Sequence, residues 1–186
     1  QCQRVRSLFS TGDLAIRGGD SEFKAKIVMA ASTNPRRIKV EIAHPWTGKS
    51  IAEVLVQGQK LQILSFPDKR FYHGRIRDFG SSTFLPTGMD GSLIWSFVRG
   101  YPALKDHGRS VSRDPGEIAF LDSKDRVIQV IGYGPESECP QVLRFPQEEA
   151  EIRFSDFQER QGIWYARRVT WEGPRGEKAS LKRNQM

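Results

Sequence analysis

Residues Ser21–Ile42 read SEFKAKIVMAASTNPRRIKVEI. Phe23, Ala25, Ile27 and Met29 alternate with Glu22, Lys24 and Lys26, and further on Ile38, Val40 and Ile42 alternate with Arg37, Lys39 and Glu41. A period of two with charge confined to one side belongs to strands that are half buried in an antiparallel sheet. Helices of this length would repeat near 3.6 residues, and the charges rule out full burial on both faces.

The same reading extends in both directions. SIAEVLVQG (50–58), KLQILSF (60–66) and RFYHGRI (70–76) follow, separated by Gly58 and by Pro67-Asp68, which are turn signals. Further on, EIAFL, RVIQVIGYG, QVLRF, AEIRFSDF, GIWYARRVTW and KASLKR read as strands between the turns DSKD, GPESECP, FPQEE, ERQG and EGPRGE. Upstream, Gly18-Gly19 reads as a hairpin turn, whereas Val5, Leu8 and Phe9 have helical spacing and predict the end of a short helix. Lys105–Gly116 is polar and reads as loop.

One segment breaks the pattern. FLPTGMDGSLIWSFVRGYP (84–102) offers Asp90 or Ser92 as a helix N-cap, and Gly100 followed by Pro102 as a stop. Leu93, Ile94, Trp95, Phe97 and Val98 are apolar, and only Ser96 and Arg99 interrupt them. A helix apolar over most of its circumference needs burial on more than one side. The expected fold is therefore mainly β, one curved, barrel-like antiparallel sheet of about 11–12 strands with one short helix. It forms one domain over residues 1–186.

That helix is too short to cover the apolar face of so many strands. Either the barrel closes on itself or a ligand space remains. The period-two phase puts Ile38, Val40, Ile42, Val54, Val56 and Ile63 on the inner face, opposite Ile94, Trp95 and Val98. These nine residues are the candidate cavity lining.

Motifs for chemistry are missing. The three histidines, His44, His73 and His107, stand at no ligand spacing, and neither a glycine-rich phosphate loop nor a Gly-x-Ser-x-Gly elbow occurs. No enzyme activity, metal or cofactor is expected. The net charge of 29 − 22 = +7 is compatible with nucleic acid, an anionic membrane surface or simple solubility. The basic pairs Arg36-Arg37, Arg167-Arg168 and Lys182-Arg183 are scattered and read as solvated strand edges or turns. Phe71, Tyr72 and Trp164 could stack on bases in a basic nucleic-acid-binding β-protein, the main alternative, but their apolar surroundings favour the core. A partner-binding barrel without a ligand cavity is a third reading.

Two cysteines, Cys2 and Cys139, are too few for a zinc knuckle. They admit three readings: a disulfide formed in an oxidising compartment, a lipid-carrying Cys2, or two unrelated thiols. Gln1 is not the small residue that precedes a lipidated cysteine. A chain starting at Gln1 is expected to have lost a preceding segment.

IAHPWTGKS (42–50) sets Trp46 at the tip of a turn between two strands. It could fold back into the core, mark a protein-binding spot, or touch a membrane, since indole prefers the bilayer interface.

The order of these features resembles the LolA/LolB family of lipoprotein localisation factors, and most nearly its outer-membrane receptor type, LolB. The likeness lies in Leu85, Gly88, Leu93, Trp95, Gly100 and Pro102, and in the turn His44-Pro45-Trp46-Thr47-Gly48, where the family carries a protruding leucine. Ala166 departs from a proline that the family has there. The resemblance implies a curved antiparallel half-barrel with a short helical lid, whose concave apolar surface holds acyl chains. It implies lipoprotein acyl chains or phospholipid as cargo, transferred to the inner leaflet of the outer membrane. The donor would be a soluble periplasmic carrier or an inner-membrane protein, and no nucleic acid is expected. It places the chain in the periplasm, with or without a lipid anchor in the outer membrane, and gives Trp46 the membrane-contact role.

Overall fold

The computed structural model describes residues 6–79, 90–135 and 137–185. Thirteen strands form a single antiparallel sheet: β1 (Ser7–Gly18), β2 (Ser21–Thr33), β3 (Arg36–Ala43), β4 (Ser50–Gln57), β5 (Lys60–Ser65), β6 (Arg70–Arg75), β7 (Arg109–Ser112), β8 (Glu117–Leu121), β9 (Val127–Tyr133), β10 (Pro140–Phe145), β11 (Ala150–Arg160), β12 (Ile163–Glu172) and β13 (Lys178–Gln185). The strand order is β6-β5-β4-β3-β2-β1-β13-β12-β11-β10-β9-β8-β7. Two meanders are thus joined edge to edge where β1 pairs with β13. β6 and β7 remain as free edges, so the barrel does not close.

The chain between those edges carries a 3-10 turn (Ile76–Phe79) and the helix α1 (Gly91–Arg99). The Asp90 side chain caps α1 by accepting from the backbone N–H of Ser92 and Leu93, both at 2.8 Å. Gly100 ends the helix in the left-handed region, with φ 70°. A side chain there would also collide with the Arg183 guanidinium and the Ala166 carbonyl, at 2.6 and 2.9 Å from its Cβ. Conformation and space therefore both demand glycine.

The alternation of Ser21–Ile42 becomes burial. Ala25, Ile27, Met29, Ile38 and Ile42 lie in the core, and the intervening charged residues are exposed. Leu93–Val98 of α1 are all buried against the same core. Even Ser96 is used, donating to the Ser92 carbonyl at 2.9 Å and accepting from the Ala103 N–H at 3.0 Å.

Two strands differ from the sequence reading. Leu8 and Phe9 belong to β1 and not to a helix end, and Val5 lies outside the described residues. The inward positions of β1 include Ser10 and Gly12, which give no apolar signal. Gly12 is there because β1 and β13 crowd together at a bulge, and a Cβ would lie 2.5 Å from the Lys182 carbonyl. β7 forms inside the stretch that reads as loop. It is a four-residue, mostly exposed edge strand, and edges tolerate polar sequence.

Candidate functional site: an apolar cavity beneath a pinned helix

Between α1 and the inner face of β1–β4 and β13 lies an apolar cavity of about 70 Å³. Ile38, Val40 and Ile42 come from β3, Val54 and Val56 from β4, and Ile94 and Val98 from α1. They are adjacent because β3 and β4 pair with Val40 opposite Val54 and Ile38 opposite Val56, so that all four share one face. Leu14, Ile16, Ile27, Met29, Phe97 and Ala179 complete the lining. Of these, Leu14, Ile16 and Ala179 are legible only once β1 and β13 are known to lie side by side next to β2.

Ile63 is buried in the same core, paired with Val54, without lining the cavity. Trp95 points to the other flank of α1, where it meets Leu8, Ala31 and Thr33, and the Arg36 guanidinium sits 5.4 Å from its ring centre. Leu85 and Gly88 lie outside the described residues.

Polar anchors hold α1 in place, and they run to the second meander. Arg183 of β13 is only 1% exposed. Its guanidinium donates to the carbonyls of Phe97 (3.2 Å), Val98 (2.6 Å) and Ala166. It satisfies helix carbonyls that lack an intrahelical partner and complements the negative end of the helix dipole. Desolvation by burial lowers its pKa to about 10. The reading of Lys182-Arg183 as a solvated pair is therefore corrected: Lys182 is exposed and Arg183 is core. The signal was available, because Ala179, Leu181 and Arg183 share one strand phase.

At the other end of the helix, Lys105 Nζ lies 2.5 Å from Glu148 and 3.4 Å from the capping carboxylate of Asp90. The chain leaving the helix is tied to β9 by the buried Gln129. Its side-chain oxygen accepts from the Lys105 N–H at 3.0 Å, and its amide donates to the Ala103 carbonyl at 2.8 Å.

Trp46 is 84% exposed, so it does not fold back into the core. The turn that carries it is ordered by His44, whose Nδ1 accepts from the N–H groups of Trp46 and Thr47 at 3.4 and 3.3 Å. The Lys49 carbonyl accepts from the His44 N–H at 2.9 Å. Phe71 and Trp164 are exposed too, at 59% and 48%, and Tyr72 at 38%, contrary to their expected core placement. They do not share a platform, because β6 and β12 are separated by the whole first meander and β13.

Cys139 is half-buried just before β10. Cys2 lies outside the described residues. Among the described residues no three His, Cys, Asp or Glu side chains converge as a metal site, and no helix is long and apolar enough to cross a membrane.

This open, curved antiparallel sheet with a short helix seated on its inner face is similar in fold to solved structures that include a LolA superfamily protein. The chain matches a LolA superfamily protein from Nitrosomonas europaea with a TM-score of 0.60 at 14% identity, over 97% of this chain and 85% of that one. It matches an outer membrane lipoprotein-sorting protein domain from Vibrio parahaemolyticus with a TM-score of 0.61 at 10% identity, over 96% and 83%. A DUF1329 family protein from Desulfovibrio piger gives 0.54 at 12% identity, over 99% and 86%. No family model matches the chain, and no curated protein matches its sequence. At these identities the likeness defines the fold.

Proposed function

We propose that the protein binds acylated cargo, lipoproteins or lipids, in the cavity beneath α1, and transfers it within the periplasm to the outer membrane as a LolB-type receptor. The observation that carries this reading is the apolar cavity between a pinned helix and an open sheet. Ile38, Val40, Ile42, Val54, Val56, Ile94 and Val98 are its lipid contacts, with Ile63 and Trp95 supporting it from the core.

Magnitudes fit a transfer role. Each buried CH₂ contributes about 0.8 kcal/mol, so one long acyl chain represents roughly 10 kcal/mol of gross burial. Such a chain moves between apolar sites and never through water. The step requires no covalent chemistry and no metal or cofactor, only a cavity, a movable cover and contact with the acceptor.

The cover has to move. An apolar cavity of roughly 150 Å³ takes one benzene, and about 70 Å³ is present here. A long acyl chain therefore enters only as α1 lifts from β1–β4. The anchors at Arg183, Gln129 and Glu148 leave the second meander as the side on which the helix stays attached. Trp46, exposed at a turn tip, is the proposed contact with the acceptor bilayer. Its ring is apolar and its N–H can stay wet.

Organic extraction of the natively purified protein, followed by mass spectrometry, tests the reading. Acylated molecules in stoichiometric amount support it. Protein that is free of lipid and takes up no acylated peptide when offered one contradicts it.

A further inference from the structure

The first meander carries a second recess, on the face turned away from the apolar cavity. Inward burial of Leu61, Ile63 and Ser65 leaves Lys60, Gln62 and Leu64 of β5 on the outer face. The pairings from β3 to β6 set the outer side chains in lateral rows. Arg37, Gln57, Lys60 and Arg75 form the first row. Lys39, Leu55, Gln62 and His73 form the second, and Glu41, Glu53, Leu64 and Phe71 the third. A depression of about 950 Å³ opens over the first two rows at β4–β6, lined chiefly by Gln57, Gln59, Lys60, Gln62, His73 and Arg75. It has the size of a small-ligand site, whereas the apolar cavity holds about 70 Å³.

Charge is graded down these rows. Arg37, Lys60 and Arg75 are exposed, and none of them forms an ion pair among the described residues. Lys60 and Arg75 stand directly opposite one another, and like charges so placed destabilise a sheet. Asp78 is the carboxylate in the depression, and it accepts from the Arg75 backbone N–H at 3.1 Å. With Asp78 the first row balances at 3 − 1 = +2. Glu41 and Glu53 lie two rows away, and both hold Lys39, at 3.0 and 3.2 Å. Counting these three as well, the balance is still 4 − 3 = +1. Two rows are four residues along a strand, about 13 Å, which exceeds the screening length of about 8 Å at physiological ionic strength.

The neutral groups narrow the chemistry. Gln57, Gln59 and Gln62 bring three exposed side-chain amides to the same depression, each with a carbonyl acceptor and two N–H donors. His73 stacks on Phe71, with ring centres 5.9 Å and planes 28° apart, which fixes the imidazole at the border of the depression. Adjacent hydroxyls on a sugar ring call for such paired donors and acceptors. Cations alone fit any polyanion, but cations interleaved with amides fit a saccharide that carries anionic groups.

We infer that the outer recess at Gln57, Lys60, Gln62 and Arg75 binds an anionic saccharide, a sugar chain bearing phosphate, sulfate or carboxylate groups. Lys60 and Arg75 hold one anionic group between them. Arg37, two strand spacings or about 10 Å from Lys60, meets a second. The amides of Gln57 and Gln62 take the hydroxyls between. The recess faces away from the apolar cavity and does not rest on the carrier reading.

The test is calorimetric titration with a heparin-derived hexasaccharide, neutral maltohexaose and hexathymidylate. The parent binds the anionic hexasaccharide saturably, at least about tenfold more tightly than maltohexaose. Lys60→Gln with Arg75→Gln weakens that binding at least about tenfold. Gln57→Ala with Gln62→Ala keeps every charge and weakens it at least about threefold. All four positions are exposed, so the variants keep the parent's denaturant midpoint. Should the charge pair fail to fold, Lys60→Gln alone carries the test, with a loss of at least about threefold.

A parent that does not bind the anionic hexasaccharide, or a folded charge variant that binds it like the parent, overturns the site. Loss through the charge pair with none through the glutamine pair reduces the recess to a generic polyanion patch and overturns the saccharide. Hexathymidylate bound as tightly as the hexasaccharide overturns it in favour of nucleic acid. Uptake of a fluorescent fatty-acyl probe is unchanged in both double variants, and a parent that takes up no probe yet binds the saccharide through these residues supports the recess while contradicting the carrier reading.

Discussion

The Arg183 guanidinium, on the last strand, donates to the Val98 carbonyl in the last turn of α1 at 2.6 Å. This bond, with those to Phe97 and Ala166, joins the helix over the cavity to the sheet of the second meander. Its charge sits among backbone carbonyls, and burial makes it costly to hold.

Arg183→Met removes that desolvation cost but leaves buried carbonyls without a donor. At about 1–3 kcal/mol for each group left unsatisfied, the net outcome is a loss of about 2–3 kcal/mol, read as a lower denaturant midpoint. The pH dependence carries a sign. Below about pH 10 the group is charged in both folded and unfolded states and gives no slope. Above that, the native state releases its proton before the unfolded chain does, so this group's contribution to parent stability rises with pH. The gap between parent and variant is therefore constant from about pH 5 to 9. A gap that changes across this range contradicts the assignment.

Asp90→Ala removes the N-cap of α1 and a partner of Lys105. The cap alone accounts for about 1 kcal/mol. Amide hydrogen exchange in α1 is expected to accelerate more than exchange in β12. Equal acceleration in both would mean that the helix and sheet open only together.

Val40→Phe, at a half-buried lining position, places a ring in the cavity. Overpacking costs about 1–3 kcal/mol, so the protein still folds, and its affinity for an acyl probe falls. Unchanged affinity in a folded variant would move the acyl site elsewhere.

Trp46→Glu changes a residue that is 84% exposed, so its stability should stay within about 0.5 kcal/mol of the parent. Acyl uptake is retained and delivery of cargo to liposomes is impaired. Normal delivery by this variant would remove Trp46 from the membrane-contact role.

Thiol counting under denaturing, non-reducing conditions decides the cysteines. A Cys2–Cys139 bridge gives no free thiol, and its long loop contributes roughly 3–5 kcal/mol in the loop-entropy account. Two free thiols exclude it.

The reach of the sequence follows from how each residue is buried. Alternation such as that of Ile38, Val40 and Ile42 survives into the structure, because one face of the sheet is dry and the other wet. The helix is legible from Asp90, Gly100 and its apolar run, which local chemistry alone specifies. β1 is not, because Ser10 and Gly12 occupy two of its inward positions, and at Gly12 a Cβ would collide with the Lys182 carbonyl of β13. Arg183 is hidden by its type: a cation reads as solvent-facing unless strand phase is given priority over composition. Trp95 and Ile63 are buried in the core without lining the cavity. Whether a core residue borders empty space depends on the crossing of helix and sheet, which periodicity does not encode. Phe71 and Trp164 read as core because aromatic rings usually are, and only the free edge at β6 and the start of β12 expose them.

The central claim is that the cavity binds acyl chains. Its most direct test is calorimetric titration of the protein with an acylated lipopeptide and with the same peptide lacking its acyl chains, each at low and high salt. The account predicts saturable binding of the acylated form alone, with affinity nearly independent of salt. Binding that ignores the acyl chains, or that weakens steeply with salt as phosphate contacts do, would contradict it.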